Sequence, residues 1–125
     1  MGYVDIVSSG DKSIETTDDP GVAFDLASGK IVAWHGGTKV YAFDPATNTW
    51  LSHPAASANL VNPGPSLAQG GVFGRFRYSK KLNLYILVND VDKNVFVYKF
   101  SPGSGVNLEI PAIPSQPATP VMQTN

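Results

Sequence analysis

Residues 22 to 50 read VAFDLASGKIVAWHGGTKVYAFDPATNTW, and residues 76 to 98 read FRYSKKLNLYILVNDVDKNVFVY. Both stretches alternate short apolar runs, rich in aromatic and β-branched residues, with turn sequences. A long period of short strands predicts a repeat architecture. The two copies align at an offset of 54 residues that grows to 55, which pairs Phe24 with Tyr78, Ile31 with Tyr85, Trp34 with Val88, and Phe43 with Tyr98.

The strand pattern extends over most of the chain, and no window shows sustained helical periodicity. The fold class is therefore predicted to be all-β. Predicted strands lie at residues 3 to 7, 21 to 26, 30 to 35, 39 to 44, 48 to 53, 72 to 78, 82 to 89 and 94 to 100, with a weaker one at 106 to 110. The predicted organisation is an N-terminal strand and loop at 1 to 20, a first repeat at 21 to 53, a loop at 54 to 71, a degenerate second repeat at 72 to 110, and a proline-rich flexible tail at 111 to 125.

The first repeat resembles a kelch motif. Its second strand ends in Gly36-Gly37, and the aromatic Phe43 is followed by Trp50 after six residues, with an Asp-Pro and Thr-Asn turn between them. The double glycine allows a tight exit from the strand. The resemblance implies that Phe43 and Trp50, with Tyr98 in the second repeat, pack between adjacent blades of a β-propeller.

The second repeat departs from the kelch pattern, since Asn89-Asp90 replaces the glycines and no tryptophan follows Tyr98. It is similar to a blade of bacterial kelch-like or galactose-oxidase-like propellers. The copper-radical cofactor of galactose oxidase needs a cysteine crosslinked to a tyrosine, and this chain has no cysteine. The resemblance therefore predicts two four-stranded antiparallel blades and carries no activity.

Composition excludes several classes of function. Nine basic and ten acidic residues leave a net charge of -1, so bulk electrostatics favours neither nucleic acid nor an anionic membrane as a partner. The absence of cysteine excludes a disulfide framework and a thiolate metal site. No signal peptide or apolar run of transmembrane length is apparent, so we expect a soluble chain, with its compartment unknown and secretion still open.

Two blades are too few to close a propeller, which has about four to eight. Isolated blades expose apolar faces, so we expect identical chains to complete the ring, with a trimer of six blades favoured over a tetramer of eight. The rival interpretation is a piece of a longer propeller. The strand at 3 to 7 is a candidate latch on the next chain, with pairing in its own chain as the alternative.

Arg75 and Arg77 alternate with Phe76 and Tyr78, so on a strand both guanidinium groups point away from the rings. Together with Asn89 and Asp90 these arginines are the candidate ligand-binding residues, and they suit a small anion; aromatic residues elsewhere suit a sugar. The alternative is that the arginines pair with Asp18, Asp19 or Asp90 to tie blades together.

No constellation predicts catalysis, a metal or a cofactor. Asp90, Asp92 and Asn94 share the first spacings of a calcium loop, but Val95 and Ser101 stand where such a loop needs glycine and glutamate. His35 and His53 lack further ligands. Asp18-Asp19 is more consistent with a solvated pair than with acid–base chemistry. Phosphate-loop, dinucleotide and nucleophile-elbow motifs do not occur.

The predicted function is a non-catalytic binding or scaffold module that self-assembles into a closed propeller. The alternative is a fragment or accessory subunit of a secreted carbohydrate-active propeller enzyme. A chain without a selected ligand is a third interpretation. The oligomeric state separates the first two, because a self-sufficient module forms a closed oligomer and a fragment stays monomeric or aggregates.

Overall fold

The computed structural model describes residues 1–66 and 71–105. This part of the chain is mostly β, with two short 3₁₀ helices and no α-helix, which confirms the predicted all-β class. None of the described residues forms a helix long and apolar enough to cross a membrane. The predicted strand at 106 to 110, the predicted tail at 111 to 125 and part of the loop at 54 to 71 lie outside the described residues.

The first sheet, sheet 1, has five strands in the order β1-β5-β4-β3-β2. Strands β2 to β5 form an antiparallel meander, and β1 adds to β5 in parallel. The turns follow from the sequence: Gly29 donates its amide to the Asp25 carbonyl at 2.8 Å, and the Asp44 side chain accepts from the Ala46 amide at 2.9 Å. The strands are β1 (Ser9–Gly10), β2 (Gly21–Asp25), β3 (Lys30–Trp34), β4 (Val40–Asp44) and β5 (Thr49–His53).

The second sheet, sheet 2, has three antiparallel strands within the described residues, in the order β6-β7-β8. They are β6 (Phe76–Ser79), β7 (Leu84–Leu87) and β8 (Phe96–Tyr98). The structure therefore shows a five-stranded mixed sheet and a three-stranded sheet, rather than the two four-stranded antiparallel sheets that were predicted. Sheet 1 gains its extra strand because β1 pairs with an open edge, and the fourth strand predicted for sheet 2 falls beyond residue 105.

The N-terminal strand was predicted at 3 to 7 and lies instead at Ser9–Gly10. The predicted segment forms no strand, and its side chains are exposed. Pairing occurs where the backbone of β5 can be approached closely: a Cβ on Gly10 would lie 2.1 Å from the Trp50 carbonyl oxygen. The amides of Ser9 and Asp11 donate to the carbonyls of Asn48 and Trp50 at 2.9 and 3.0 Å. Glycine, and not the apolar alternation, sets the position of this strand.

The internal repeat is visible in the strand register. In sheet 1, Phe24 pairs with Ile31 and Ile31 with Phe43. In sheet 2, the residues at the predicted offset pair in the same way, forming the row Tyr78, Tyr85 and Tyr98. The neighbouring rows also correspond: Ala23, Val32 and Ala42 in sheet 1, and Arg77, Ile86 and Val97 in sheet 2.

The core lies between the two sheets, which pack face to face. Sheet 1 contributes Trp34 and small or branched side chains, and sheet 2 contributes mainly aromatic ones. The first strands of the sheets, β2 and β6, contact each other. They approach closely because Gly21 has no side chain: a Cβ there would lie 2.5 Å from Phe76 Cβ. The buried cluster comprises Val32, Trp34, Val40, Ala42, Val72, Phe76, Tyr85 and Leu87.

Candidate functional site

The two candidate arginines do not share a strand. Strand β6 begins at Phe76, and Arg75 ends a 3₁₀ helix (Phe73–Arg75) in which its amide donates to the Val72 carbonyl at 2.9 Å. The prediction that both guanidinium groups alternate with the rings along one strand is therefore wrong for Arg75. The turn forms because Phe73 adopts a positive φ of 42°, which an extended strand does not allow.

Both guanidinium groups donate to backbone carbonyls. Arg75 donates to the Gly71 carbonyl and, at 3.5 Å, to the Asn89 carbonyl. Arg77 is exposed and its Nε donates to the Gly74 carbonyl at 2.8 Å. Neither forms an ion pair within residues 1–66 and 71–105, so the predicted pairing with Asp18, Asp19 or Asp90 is not observed there.

Asn89 is buried, with 3% of its surface exposed, and ties the loop before residue 67 to sheet 2. Its Nδ2 donates to the Pro63 and Pro65 carbonyls at 2.9 and 3.0 Å. Its Oδ1 is buried without a hydrogen-bond partner in the described part of the chain. Asp90 lies in the β7–β8 turn, where its carboxylate accepts from the Asp92 amide at 3.4 Å. The structure thus brings Arg75 and Asn89 together in a loop anchor, separate from Arg77.

Gly36 and Gly37 hold the same loop on sheet 1. Gly36 forms a bridge with Pro65, and the Gly37 amide donates to the Gly64 carbonyl at 2.7 Å. Gly36 has a φ of 108°, and a Cβ there would lie 2.7 Å from the Ser66 amide nitrogen. The two glycines therefore permit both the strand exit and the close approach of the loop.

Of the predicted blade aromatics, Tyr98 lies between the two sheets, whereas Phe43 and Trp50 do not. Phe43 and Trp50 contact each other on the face of sheet 1 that points away from sheet 2, with ring centroids 5.2 Å apart. Trp50 Nε1 donates to Glu15 Oε1 at 2.8 Å. Tyr98 faces sheet 1 and lies 6.2 Å from Tyr85 between ring centroids.

The predicted polar positions form no metal centre within the described residues, where no group of three or more His, Asp or Glu side chains is placed to hold an ion. His35 Nε2 lies 3.1 Å from the Ser66 hydroxyl. His53 packs its ring edge-on against Phe100 at 4.9 Å. The two histidines thus have separate environments.

A buried polar cluster around Asp25 was not predicted from the sequence. Asp25 is fully buried between the sheets. Its carboxylate accepts from the amides of Ala27 and Ser28 at 3.0 and 3.2 Å, and from the Ser101 hydroxyl at 3.0 Å. The Tyr85 hydroxyl is buried nearby without a partner among the described residues, and burial, with the Asp25 charge, raises the pKa of Tyr85. Because both carboxylate oxygens accept hydrogen bonds and the side chain is inaccessible to solvent, Asp25 is a structural link between β2 and the segment after β8. Its sequence signal was an Asp at the start of a Ser-Gly turn.

The outward surfaces of the two sheets carry apolar side chains. The sheet 1 outer face, defined by Val22, Phe24, Ile31, Tyr41, Phe43 and Trp50, exposes Val22 and Phe24 at 51% each. The sheet 2 outer face, defined by Arg77, Ile86, Val88 and Val97, exposes Val97 at 70%. The 3₁₀ helix Lys12–Thr16 contacts the sheet 1 outer face at Trp50, through Glu15, and leaves Val22 and Phe24 exposed. These faces are the candidate interface.

Comparison of the chain with family models, curated proteins and solved structures found no match. We therefore infer the function from the geometry of the chain itself.

Proposed function

We propose that the protein is a non-catalytic binding or scaffold module whose copies associate head to tail, completing a ring of β-propeller blades of the kelch-like kind that its sequence resembles. The observation that carries this proposal is the correspondence between the inner and outer faces of the two sheets. The contact between sheets 1 and 2 in one chain is the template for the contact between neighbouring chains.

The correspondence follows from the repeat register. In sheet 2, the row of Tyr78, Tyr85 and Tyr98 packs against sheet 1. The equivalent row in sheet 1 is formed by Phe24, Ile31 and Phe43 and lies on its outer face. The two end residues of this row, Phe24 and Phe43, are not buried. Sheet 1 therefore presents an aromatic surface to the outside that matches the one sheet 2 buries inside.

The complementary surfaces match as well. Sheet 1 packs its row of Ala23, Val32 and Ala42 against the tyrosines of sheet 2. The equivalent row in sheet 2 is Arg77, Ile86 and Val97 on its outer face. Placing the sheet 2 outer face of one chain on the sheet 1 outer face of the next repeats the internal packing, with the Arg77 guanidinium over aromatic rings.

Such an interface joins two different surfaces, so it is heterologous and generates a ring when the rotation closes. Each chain contributes two sheets, so three copies give six blades and four give eight, within the usual range of about four to eight. A trimer is favoured. Burial of the two outer faces removes exposed apolar surface that a monomer leaves in water.

The test uses one disabled face at a time. Phe24→Asp destroys the sheet 1 outer face and Val97→Asp the sheet 2 outer face, so neither variant forms an oligomer alone. Mixed in equal amounts, they have one intact pair of faces and form a heterodimer that sedimentation velocity detects. Val91→Asp is the matched control, since Val91 is 90% exposed in a turn, and it keeps the wild-type oligomer.

Failure of the mixture to form a heterodimer, with both variants folded by circular dichroism, contradicts the head-to-tail interface. A wild-type chain that is monomeric at every concentration contradicts self-association itself. That result favours the alternative, a propeller completed by a different polypeptide, as in a fragment or accessory subunit of a larger enzyme.

A further inference from the structure

A cleft of about 480 Å³ opens between the two sheets, on the side where the loop after His53 crosses the core. Trp34, Val40 and His53 line it from sheet 1, and Phe76, Leu87 and Phe96 line it from sheet 2. Its volume is within the range of about 300–1,000 Å³ that small-molecule sites occupy. Of the residues that define the two outer faces, Val97 also lines the cleft, at its border with the sheet 2 outer face.

The walls of the cleft are largely aromatic. Trp34 forms one wall and is held in place because its Nε1 donates to the Gly37 carbonyl at 3.0 Å. Phe96 and Tyr98 stand on the opposite sheet, and Phe100 packs against His53 at 4.9 Å. Aromatic side chains on both sides of the cleft favour an aromatic ligand.

The described lining directs no charged group into the cleft. Lys99 is its charged residue, but the ammonium group donates to the carbonyls of Asn83 and Gly103 at 3.0 and 2.7 Å, and neither of these residues lines the cleft. No carboxylate is among the described lining residues. Burial, followed by the charge of Lys30, lowers the pKa of His53, so its imidazole is neutral at pH 7. A charged ligand would lose its hydration here without a counter-charge in return.

Three polar side chains in the lining have no hydrogen-bond partner within the described residues: the exposed Thr38 hydroxyl, the His53 ring and the Tyr98 hydroxyl. Burial raises the pKa of Tyr98, so the hydroxyl keeps its proton and can donate. A neutral imidazole offers one donor and one acceptor. Both groups can therefore meet a ligand hydroxyl or carbonyl.

We propose that this cleft binds an uncharged aromatic small molecule that carries a hydroxyl group, with its ring between Trp34 and the aromatic wall of sheet 2 and its hydroxyl on His53 or Tyr98. A sugar is less well matched, because its several hydroxyl groups exceed the polar groups that the cleft offers. The residues that were predicted to bind a ligand, Arg75, Arg77, Asn89 and Asp90, do not line this cleft.

Tryptophan fluorescence tests the proposal directly. The chain has two tryptophans, and Trp50 lies outside the cleft. The variant Trp50→Phe therefore leaves Trp34 as the sole reporter. Titration with neutral 7-hydroxycoumarin, whose absorption overlaps tryptophan emission, is expected to quench Trp34 in a saturable way at micromolar probe concentration. The reciprocal variant, Trp34→Phe, shows weaker quenching of the more distant Trp50.

Variants in the reporter background locate the site. Ala55 lines the cleft, whereas Ala58 on the same loop does not. Ala55→Phe fills the cleft and weakens binding by at least tenfold, and Ala58→Phe leaves it unchanged. Tyr98→Phe keeps the ring and removes the hydroxyl, which weakens binding about three- to tenfold, the usual effect of losing one hydrogen bond.

Absence of saturable quenching in the reporter variant overturns the proposal. Equal affinity in the Ala55→Phe and Ala58→Phe variants also overturns it, because the probe then binds elsewhere. Should Ala55→Phe fail to fold, the Tyr98→Phe comparison decides the question. Binding of methyl glucoside or benzoate as tight as that of the coumarin contradicts the assigned ligand class. Self-association of the unmodified chain, measured as its mass in solution, is independent of all these results.

Discussion

The paired glycines that follow β3 allow a prediction of how much stability two single substitutions cost. In Gly36→Ala the backbone keeps a positive φ, and the new Cβ lies 2.7 Å from a backbone atom. A Cβ on Gly37, which has a φ of 69°, has no atom within 4 Å. Gly37→Ala is expected to cost about 1–2 kcal/mol from its backbone conformation. Gly36→Ala is expected to cost roughly 1–3 kcal/mol more, because the loop at Pro65 must move. Urea denaturation compares the two, and equal losses contradict the close packing.

His53 makes the folding stability of the protein depend on pH, and the sign of this dependence is known. Burial lowers its pKa below 6.5 in the folded state, so the unfolded chain takes up a proton first as the pH falls. Stability is expected to be complete above pH 6.5, to decline below it, and to level off once the folded form is also protonated. Glu15 and Asp44 act at lower pH, since hydrogen bonds from Ser8 and Lys30 lower their pKa values.

Thermal denaturation between about pH 8 and about pH 5.5 measures this decline. His53→Gln removes the contribution and flattens the curve over that range. His35→Gln is the matched control and retains it, because His53 is still present. A curve that is unchanged by His53→Gln contradicts the assigned environment of this side chain.

Among the elements, the loop before residue 67 depends on Asn89. Its side-chain amide bonds the carbonyls of Pro63 and Pro65 at 2.9 and 3.0 Å. Asn89→Ala leaves both carbonyls without that donor and is expected to cost about 1–3 kcal/mol. Hydrogen exchange is expected to rise at residues 62–66 first. Asn94→Ala, at an exposed position in the β7–β8 turn, is the control and leaves exchange unchanged.

The strands that the sequence predicts well are those with a clear turn at each end. Strands β2 to β5 lie within one residue of their predicted bounds. In the second repeat the predicted strands were longer than the observed ones; the strand predicted at 72 to 78 begins only at Phe76, because a 3₁₀ helix occupies Phe73–Arg75. The strand at 3 to 7 was misplaced because its position depends on how closely Gly10 approaches Trp50, a tertiary contact without a local pattern.

The candidate sites were less predictable than the strands. Arg75 and Arg77 looked like a pair because strand alternation was assumed, whereas a 3₁₀ helix separates their settings. The aromatic cleft was not predicted, since it arises only where the two sheets meet and the loop crosses them. Anion binding by Arg77 and completion of a ring both remain predictions.

In the whole molecule the two sheets share a repeat register, but equivalent faces differ in whether they are buried between the sheets. Within one chain, sheet 2 buries its aromatic row against sheet 1. Sheet 1 leaves the equivalent row on its outer face, where Phe24 is 51% exposed. The proposed self-association would remove this asymmetry, because every aromatic row would then pack against the next sheet. The cleft borders the sheet 2 outer face at Val97, and the rest of its lining lies outside the residues that define the two outer faces.

The most direct measurement is the absolute mass in solution, by light scattering coupled to size exclusion over a wide range of concentration. We expect a single closed species with three times the 13.3 kDa mass of the chain, and we expect its mass to stay constant as the protein concentration rises. A fourfold mass keeps the ring and changes the blade number. A mass equal to one chain at every concentration contradicts the central claim.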